Sequence, residues 1–241
     1  METYILFIAA ATSYISGSIS FTRLMGRLFA PDVDIEETSF DIKGTEEKFR
    51  FHSVSATTMA VKKGPIYGMT TSILDMAKAF IPVYFFASRY PGEAYHLVAS
   101  LACLLGHNFP VFYRSKGGRG MSPLFGSLLV LDWRAILVTS LGGMFIGAFV
   151  LRDMFFAFMS GPVLLVPWMW YSSGRMDYVL YAVAVNIAFW SASFPEVRMY
   201  LDLKGKGLLQ AAETLEKGEP GRGGIFGRFA RVFGLMKEED E

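Results

Sequence analysis

Residues 135–151, AILVTSLGGMFIGAFVL, are followed after Arg152-Asp153 by residues 154–171, MFFAFMSGPVLLVPWMWY, and after the polar turn Ser172 to Asp177 by residues 178–194, YVLYAVAVNIAFWSASF. A hydrocarbon core about 30 Å thick takes roughly 20 mostly apolar residues at helical rise. Three such runs with separators this tight leave no room for soluble inserts, so consecutive helices are expected as antiparallel neighbours in one bundle. Upstream, similar runs extend from Tyr4 to Phe21, from Pro65 to Phe86 and from Tyr95 to Tyr113. A shorter stretch, Met121 to Leu131, fits a tilted or partly buried helix. The expected fold class is all-α: a polytopic membrane helix bundle of about seven transmembrane helices.

Orientation follows from the cations, because short loops rich in Lys and Arg stay cytoplasmic. With seven spans and the N-terminus outside, 19 of the 23 Lys and Arg fall in inside segments. Arg89, Arg134 and Arg175 fall outside, and Lys78 lies within a span. The chain opens Met-Glu-Thr with no cation before Arg23, whereas a signal peptide carries a positive n-region. An uncleaved first span, an outside N-terminus and a cytoplasmic C-terminus are therefore expected, in a multi-pass protein of the inner (plasma) membrane. Residues 1–200 form the expected membrane domain, with a polar cytoplasmic loop at about 23–64. Residues 201–241 form a cytoplasmic tail. In it Ile225, Phe226, Phe229, Val232, Phe233 and Met236 interleave with Arg228, Arg231 and Lys237, the pattern of a helix lying on the inner leaflet, or of a frayed tail with scattered apolar residues.

Composition excludes several classes. The 23 Lys and Arg nearly cancel 22 Asp and Glu, so no global charge draws the chain to nucleic acid. The single Cys103 rules out a disulfide scaffold and reads as an inert packing residue. Three histidines without Cys, Asp or Glu at ligand spacing argue against a metal site, and no P-loop, dinucleotide or nucleophile-elbow signature is present. No cofactor is expected. A transporter would line several spans with charge, and only Asp75 and Lys78 are available.

The chemistry concentrates in Gly106-His107-Asn108-Phe109-Pro110-Val111-Phe112-Tyr113-Arg114-Ser115-Lys116-Gly117-Gly118-Arg119-Gly120. Glycines beside Lys116 and Arg119, just before a helix starting at about Met121, suit a phosphate, since backbone N–H groups, the helix end and a planar guanidinium converge. The plainer alternative is a basic glycine-bearing turn. His107 is on the same strip and could carry a proton near neutral pH, or simply pack at a helix end. Asp75 and Lys78, three apart on one helical face, can pair with each other and support the site or only the fold. Gly17-Ser18-Ile19-Ser20 permits close helix packing. Ser53, Ser55, Thr57 and Thr58 could bind a headgroup or cap a helix.

These residues resemble the bacterial acyl-phosphate:glycerol-3-phosphate acyltransferases, whose loop reads approximately Gly-His-x-Phe-Pro-Val-Phe followed by Lys-Gly-Gly-Lys-Gly. Here only the second Lys is changed, to Arg119. The family's Gly-Ser-Ile-Pro is similar to Gly17-Ser18-Ile19-Ser20. Its Gly-Ser-Gly-Asn-x-Gly-Ala-Thr-Asn-x-x-Arg signature and the Leu-Asp-x-x-Lys-Gly that follows match in one register at Ala56, Thr57, Gly64, Gly68, Leu74, Asp75 and Lys78. Phe51 stands where the family has Ser, Ser53 and Thr58 where it has Asn, Val61 where it has Arg, and Ala79 where it has Gly. A third signature, roughly His-x-x-Asn-Ile-x-Arg, leaves only a trace in Glu196-Val197-Arg198.

The resemblance implies seven spans and acyl transfer from acyl phosphate to the hydroxyl of glycerol-3-phosphate, giving lysophosphatidic acid for phospholipid synthesis at the lipid bilayer. It implies His107 as a catalytic group, with Ser53 close enough in sequence to substitute for the lost family Ser. Lys116, Gly117, Gly118, Arg119, Gly120, Asn108, Thr57, Lys62, Lys63 and Ser18 would bind substrate or phosphate, with Lys62 and Lys63 standing in for the lost Arg. Turnover with glycerol-3-phosphate is then expected to be weak, and Phe51→Ser with Val61→Arg to raise it. The alternative is a catalytically degenerate paralogue that binds a phosphate-bearing lipid or a partner.

Overall fold

The computed structural model describes residues 2–41 and 46–209. They are mostly helical and divide into two compact units: the described residues up to Phe21 with Ser72–Ala192, and those of Thr22–Thr71 with the described residues from Ser193. The amphipathic pattern expected at residues 225–237 lies outside the described residues.

In the first unit α1 (Thr3–Ser18) buries Ile5, Ala9, Ser13 and Gly17, a stripe four residues apart on one helical face. That stripe meets α5 (Tyr95–Asn108) at backbone distance. A Cβ on Gly17 would lie 2.0 Å from the Cys103 carbonyl oxygen, and one on Gly106 would lie 2.2 Å from that of Tyr14. Small residues let helices approach in lipid, so the packing expected of Gly17 is present. The chain unwinds at Ile19, which has extended φ and ψ, before α2 (Phe21–Phe29) begins. Helix α5 stops at Asn108, short of the expected Tyr113, because Phe109 precedes Pro110 and is steered out of helical geometry.

Leu97, Leu104, Leu124, Leu128, Leu165 and Met169 form the core of this unit with Val185. They come from α5, α6 (Met121–Leu131), α9 (Leu165–Ser173) and α10 (Met176–Gly205), and α7 (Arg134–Val150) packs alongside. The run at residues 154–171 is not one helix. It forms α8 (Met154–Ala157), a tight turn at Gly161–Leu164 and then α9, since Pro162 lacks an N–H and glycine precedes it. At the connector after α6, the Trp168 indole N–H donates to Asp132 at 3.0 Å, and Arg134 lies 5.8 Å over the Trp168 ring. Burial pushes the Asp132 carboxyl up, but the bonds from Arg134 and Trp168 outweigh it and hold the group below its ordinary value.

The second unit corrects the all-α expectation. Residues Thr38–Asp41 (β1) and Lys48–Phe51 (β2) pair antiparallel, with Thr38 opposite Phe51 and Ser39 opposite Arg50. Phe49 and Phe51 turn inward and Lys48 and Arg50 outward, the two-residue period of a half-buried strand. After it come α3 (Ala56–Lys63) and α4 (Pro65–Arg89), whose later turns belong to the first unit. The Thr58 hydroxyl accepts the Ser55 N–H at 3.2 Å, so one residue of the hydroxyl run caps α3. Arg23, almost wholly buried, makes a two-pronged bond to Glu36 at 2.6 and 2.9 Å.

Among the described residues two helical stretches, Thr3–Phe29 and Met176–Gly205, are long and apolar enough to cross a membrane. Large apolar side chains such as Phe7, Phe149, Val150, Ile187 and Leu180 project outward, at 62–74% exposure. Exposed apolar surface on that scale is unfavourable in water and at home in lipid. The chain is a membrane protein.

Candidate functional site

Helix α4 carries Asp75 and Lys78 one turn apart, both almost wholly buried. Their side chains pair at 2.7 Å as the spacing predicts. The Lys78 ammonium also donates to the Ile19 carbonyl at 2.7 Å, an acceptor freed by the break between α1 and α2, and it reaches Nδ1 of His107 at 3.0 Å. An ammonium has three protons and no lone pair. It cannot accept from the imidazole, so at this contact the His107 Nδ1 accepts. The imidazole is neutral, with its proton on Nε2, a tautomer assigned from its partners. Asp75 Oδ1 is a further 3.7 Å from the same Nδ1.

The glycine loop folds back over this end of α5. Its chain turns through left-handed geometry at Arg114 (φ 50°) and Ser115 (φ 60°), and again at Gly120 (φ 93°), the residue before α6. The Gly118 N–H donates to the His107 carbonyl at 3.1 Å. A Cβ on Gly118 would sit 2.2 Å from His107 Nε2, and one on Gly117 would sit 2.0 Å from the His107 carbonyl oxygen. Glycine is required because the loop backbone lies directly against the histidine. Lys116 is exposed and Arg119 half-buried. The Tyr14 hydroxyl donates to the Phe109 carbonyl at 2.7 Å, tying α1 to the start of the loop.

Several expected roles change. The Gly118 N–H is engaged with His107, so it does not hold phosphate. The Asn108 side chain is buried, and its amide N–H donates to the Ala188 carbonyl at 3.1 Å. The amide keeps a second N–H, and its oxygen can only accept. Ser18 is wholly buried, donates to the Tyr14 carbonyl at 2.9 Å and accepts the Val111 N–H at 3.4 Å. Its bonds tie α1 to the start of the glycine loop. His107, with Nδ1 facing Lys78, presents Nε2 toward the glycine loop.

In the second unit Ser53 sits between β2 and α3, almost fully buried. Its hydroxyl donates to Glu196 at 2.7 Å and its N–H to the same oxygen at 3.1 Å, while Thr58 donates to its carbonyl at 3.2 Å. Thr57 and Lys62 are half-buried on α3; Lys63 is exposed, its ammonium 5.9 Å over the Tyr67 ring. Glu196 is the residue that sequence reasoning missed. A carboxylate two residues past the apolar run 178–194, on the same helix and within the trace of the third signature, is the signal that could have found it. Phe51 is buried in the hairpin, its ring 5.2 Å edge-on to Phe49. Replacing it with Ser would strip packing from the unit, so the expected gain from Phe51→Ser does not follow.

The glycerol-3-phosphate acyltransferase family profile matches residues 7–196. The glycerol-3-phosphate acyltransferase of Pseudothermotoga lettingae is 30% identical over 155 residues, 57% of this chain and 71% of that one. That of Desulfotalea psychrophila is 28% identical over 193 residues, 76% of this chain and 88% of that one. Matches to three further relatives of the same name span 58–63% of those proteins' length. The crystal structure of PlsY, an integral membrane glycerol 3-phosphate acyltransferase, in its glycerol 3-phosphate form shares the fold. The TM-score is 0.66 at 21% identity, covering 82% of this chain and 92% of that chain. A profile that spans well over half of the sequence, including the loop that closes on His107, decides the assignment: the chain belongs to the glycerol-3-phosphate acyltransferase family.

Proposed function

We propose that this chain transfers a fatty acyl group from acyl phosphate to the hydroxyl of glycerol-3-phosphate, forming lysophosphatidic acid for phospholipid synthesis. The observation that carries the reading is the Lys116 to Gly120 loop, closed on the end of α5 and leading into α6. Lys116 and Arg119 supply cations for a phosphate. Among the described residues no backbone bond engages the N–H groups of Gly117 and Gly120, which are left for the same anion.

Acyl phosphate is already activated, so the protein's work is to position two anions and exclude water. The glycerol oxygen attacks the acyl carbonyl carbon, the bond from that carbon to the phosphate oxygen breaks, and the hydroxyl proton leaves with the departing phosphate. His107 contributes an oriented Nε2–H donor. Ser53 contributes a hydroxyl fixed by its own partners, and Thr57, Lys62 and Lys63 extend the substrate-binding surface of α3.

The arrangement in the membrane is seven spans, an outside N-terminus and a cytoplasmic C-terminus in the plasma membrane. Residues 1–200 form the acyltransferase part and residues 201–241 the tail. The cation asymmetry supports this orientation. A degenerate, non-catalytic paralogue is favoured only by Phe51 and Val61 at signature positions. The two readings separate in one assay. Phosphate released from acyl phosphate by the purified protein should rise only when a polyol phosphate is added. Release indifferent to every acceptor, or no release, would favour the paralogue.

A further inference from the structure

Helix α2 has its polarity inside out. Thr22, Arg23, Met25 and Gly26 are buried, while Leu24, Arg27, Leu28 and Phe29 are exposed. The buried side is covered by the chain's own next turn. A Cβ on Gly26 would lie 2.7 Å from Ile35 Cδ1, and Glu36 holds the Arg23 guanidinium in its two-pronged bond. Polar groups are thus satisfied inward and apolar ones left outward, the reverse of a helix lying in water. Leu24 and Leu28 are one turn apart on the open side, at 46 and 63% exposure, with Arg27 beside them.

The surroundings of that side fit a bilayer. Helix α2 follows the first expected span after a break at Ile19 and Ser20. Phe29 meets the Tyr67 ring at 5.7 Å, and Ile66 and Met69 on the same first turns of α4 are 69 and 66% exposed. Those turns open the second expected span, so apolar surface runs on from α2 to a helix read as lipid-facing. Arg27 offers a planar fork to lipid phosphate at the edge of the apolar side. The acids at 32, 34, 36 and 37 lie beyond the C-terminal end of α2, and Glu36 among them is spent on Arg23. We propose that α2 is an interfacial helix, lying in the plane of the bilayer surface where the first span ends, with Leu24 and Leu28 among the upper acyl chains and Arg27 on phospholipid phosphate. The segment expected as a polar loop then begins as an element seated on the leaflet. The proposal rests on the membrane assignment and not on the acyltransferase reading.

The test places single cysteines by Leu24→Cys, Leu28→Cys and Lys48→Cys in a Cys103→Ala background of the full-length protein. Each is labelled with a nitrobenzoxadiazole dye and reconstituted in phosphatidylcholine–phosphatidylglycerol vesicles, with iodide equilibrated across the membrane. Lys48, outward on β2, is the aqueous reference. Labels at 24 and 28 should emit to the blue of the label at 48, lose intensity to a nitroxide on the upper acyl chain and be shielded from iodide. The label at 48 should respond in the opposite sense. Labels at 24 and 28 should also share one depth, whereas a helix continuing the first span would separate them by about 6 Å along the membrane normal. If thermal melts show either leucine variant to be unfolded, Phe29→Cys takes its place. Iodide reaching 24 and 28 as freely as 48 would put α2 in water. Labels reached by neither quencher would mean that a protein surface, a second copy included, covers this side. A depth difference of a full turn would make α2 part of the span. Each of these three results would overturn the proposal.

Discussion

The Lys78 ammonium lies 3.0 Å from Nδ1 of His107, and that contact decides which proton the histidine carries. Paired with Asp75 and bonded to the Ile19 carbonyl, the lysine presents a donor to Nδ1, which leaves Nε2 toward the glycine loop. Lys78→Met would leave Asp75 in the interior without its cation, and breaking a buried pair from one side costs about 3–5 kcal/mol. A marked fall in melting temperature and loss of turnover are expected. Adding Asp75→Leu should restore most of the stability, because a buried pair replaced by apolar residues is often neutral. Activity should stay low, since His107 has lost its orienting partner. Thermal melts and turnover of the single and double variants check both halves.

Gly118→Ala tests the loop itself. The new Cβ would meet His107 Nε2 at 2.2 Å, so either the imidazole leaves Lys78 or the loop lifts away from α5. The apparent KM for glycerol-3-phosphate should rise by about tenfold or more, the equivalent of roughly 1.4 kcal/mol. Unchanged kinetics in a folded variant would separate the loop from substrate binding.

Close approach of α1 and α5 makes a prediction about stability alone. Gly106→Ala drives a methyl group to within 2.2 Å of the Tyr14 carbonyl oxygen, backbone that cannot rotate away. Overpacking of this kind costs about 1–3 kcal/mol. The melting temperature should fall even with saturating substrate, whereas Gly205→Ala, where nothing lies within 4 Å, should leave it unchanged.

The cation distribution predicts sidedness. In a Cys103→Ala background, single cysteines placed by Thr3→Cys and Lys206→Cys should label differently in intact cells. The first should react with an impermeant maleimide and the second only after permeabilisation. Labelling of the second without permeabilisation would invert the topology.

Much of the site could be read from the chain, for reasons that are local. The glycine loop is contiguous, and Asp75 and Lys78 are one helical turn apart, so spacing alone put each together. The end of α5 was written in Phe109-Pro110 and the break of residues 154–171 in Gly161-Pro162, although the expected spans ran through both. Contacts that depend on packing between helices were not legible: His107 on α5 meets Lys78 on α4, and the Ile19 carbonyl that Lys78 also reaches is set by the break after α1. The hairpin escaped because its strands are four residues each, in a segment rich in charge. Glu196 escaped because its partner is 143 residues away.

Incorporation of isotope-labelled glycerol-3-phosphate into extractable lipid, by purified wild-type protein in vesicles supplied with palmitoyl phosphate, tests acyl transfer at this site most directly. The predicted result is labelled lysophosphatidic acid formed in step with released phosphate, and abolished when Lys116→Ala and Arg119→Ala are combined. Phosphate released without labelled lipid, or labelled lipid formed equally well by the doubly substituted protein, would contradict it.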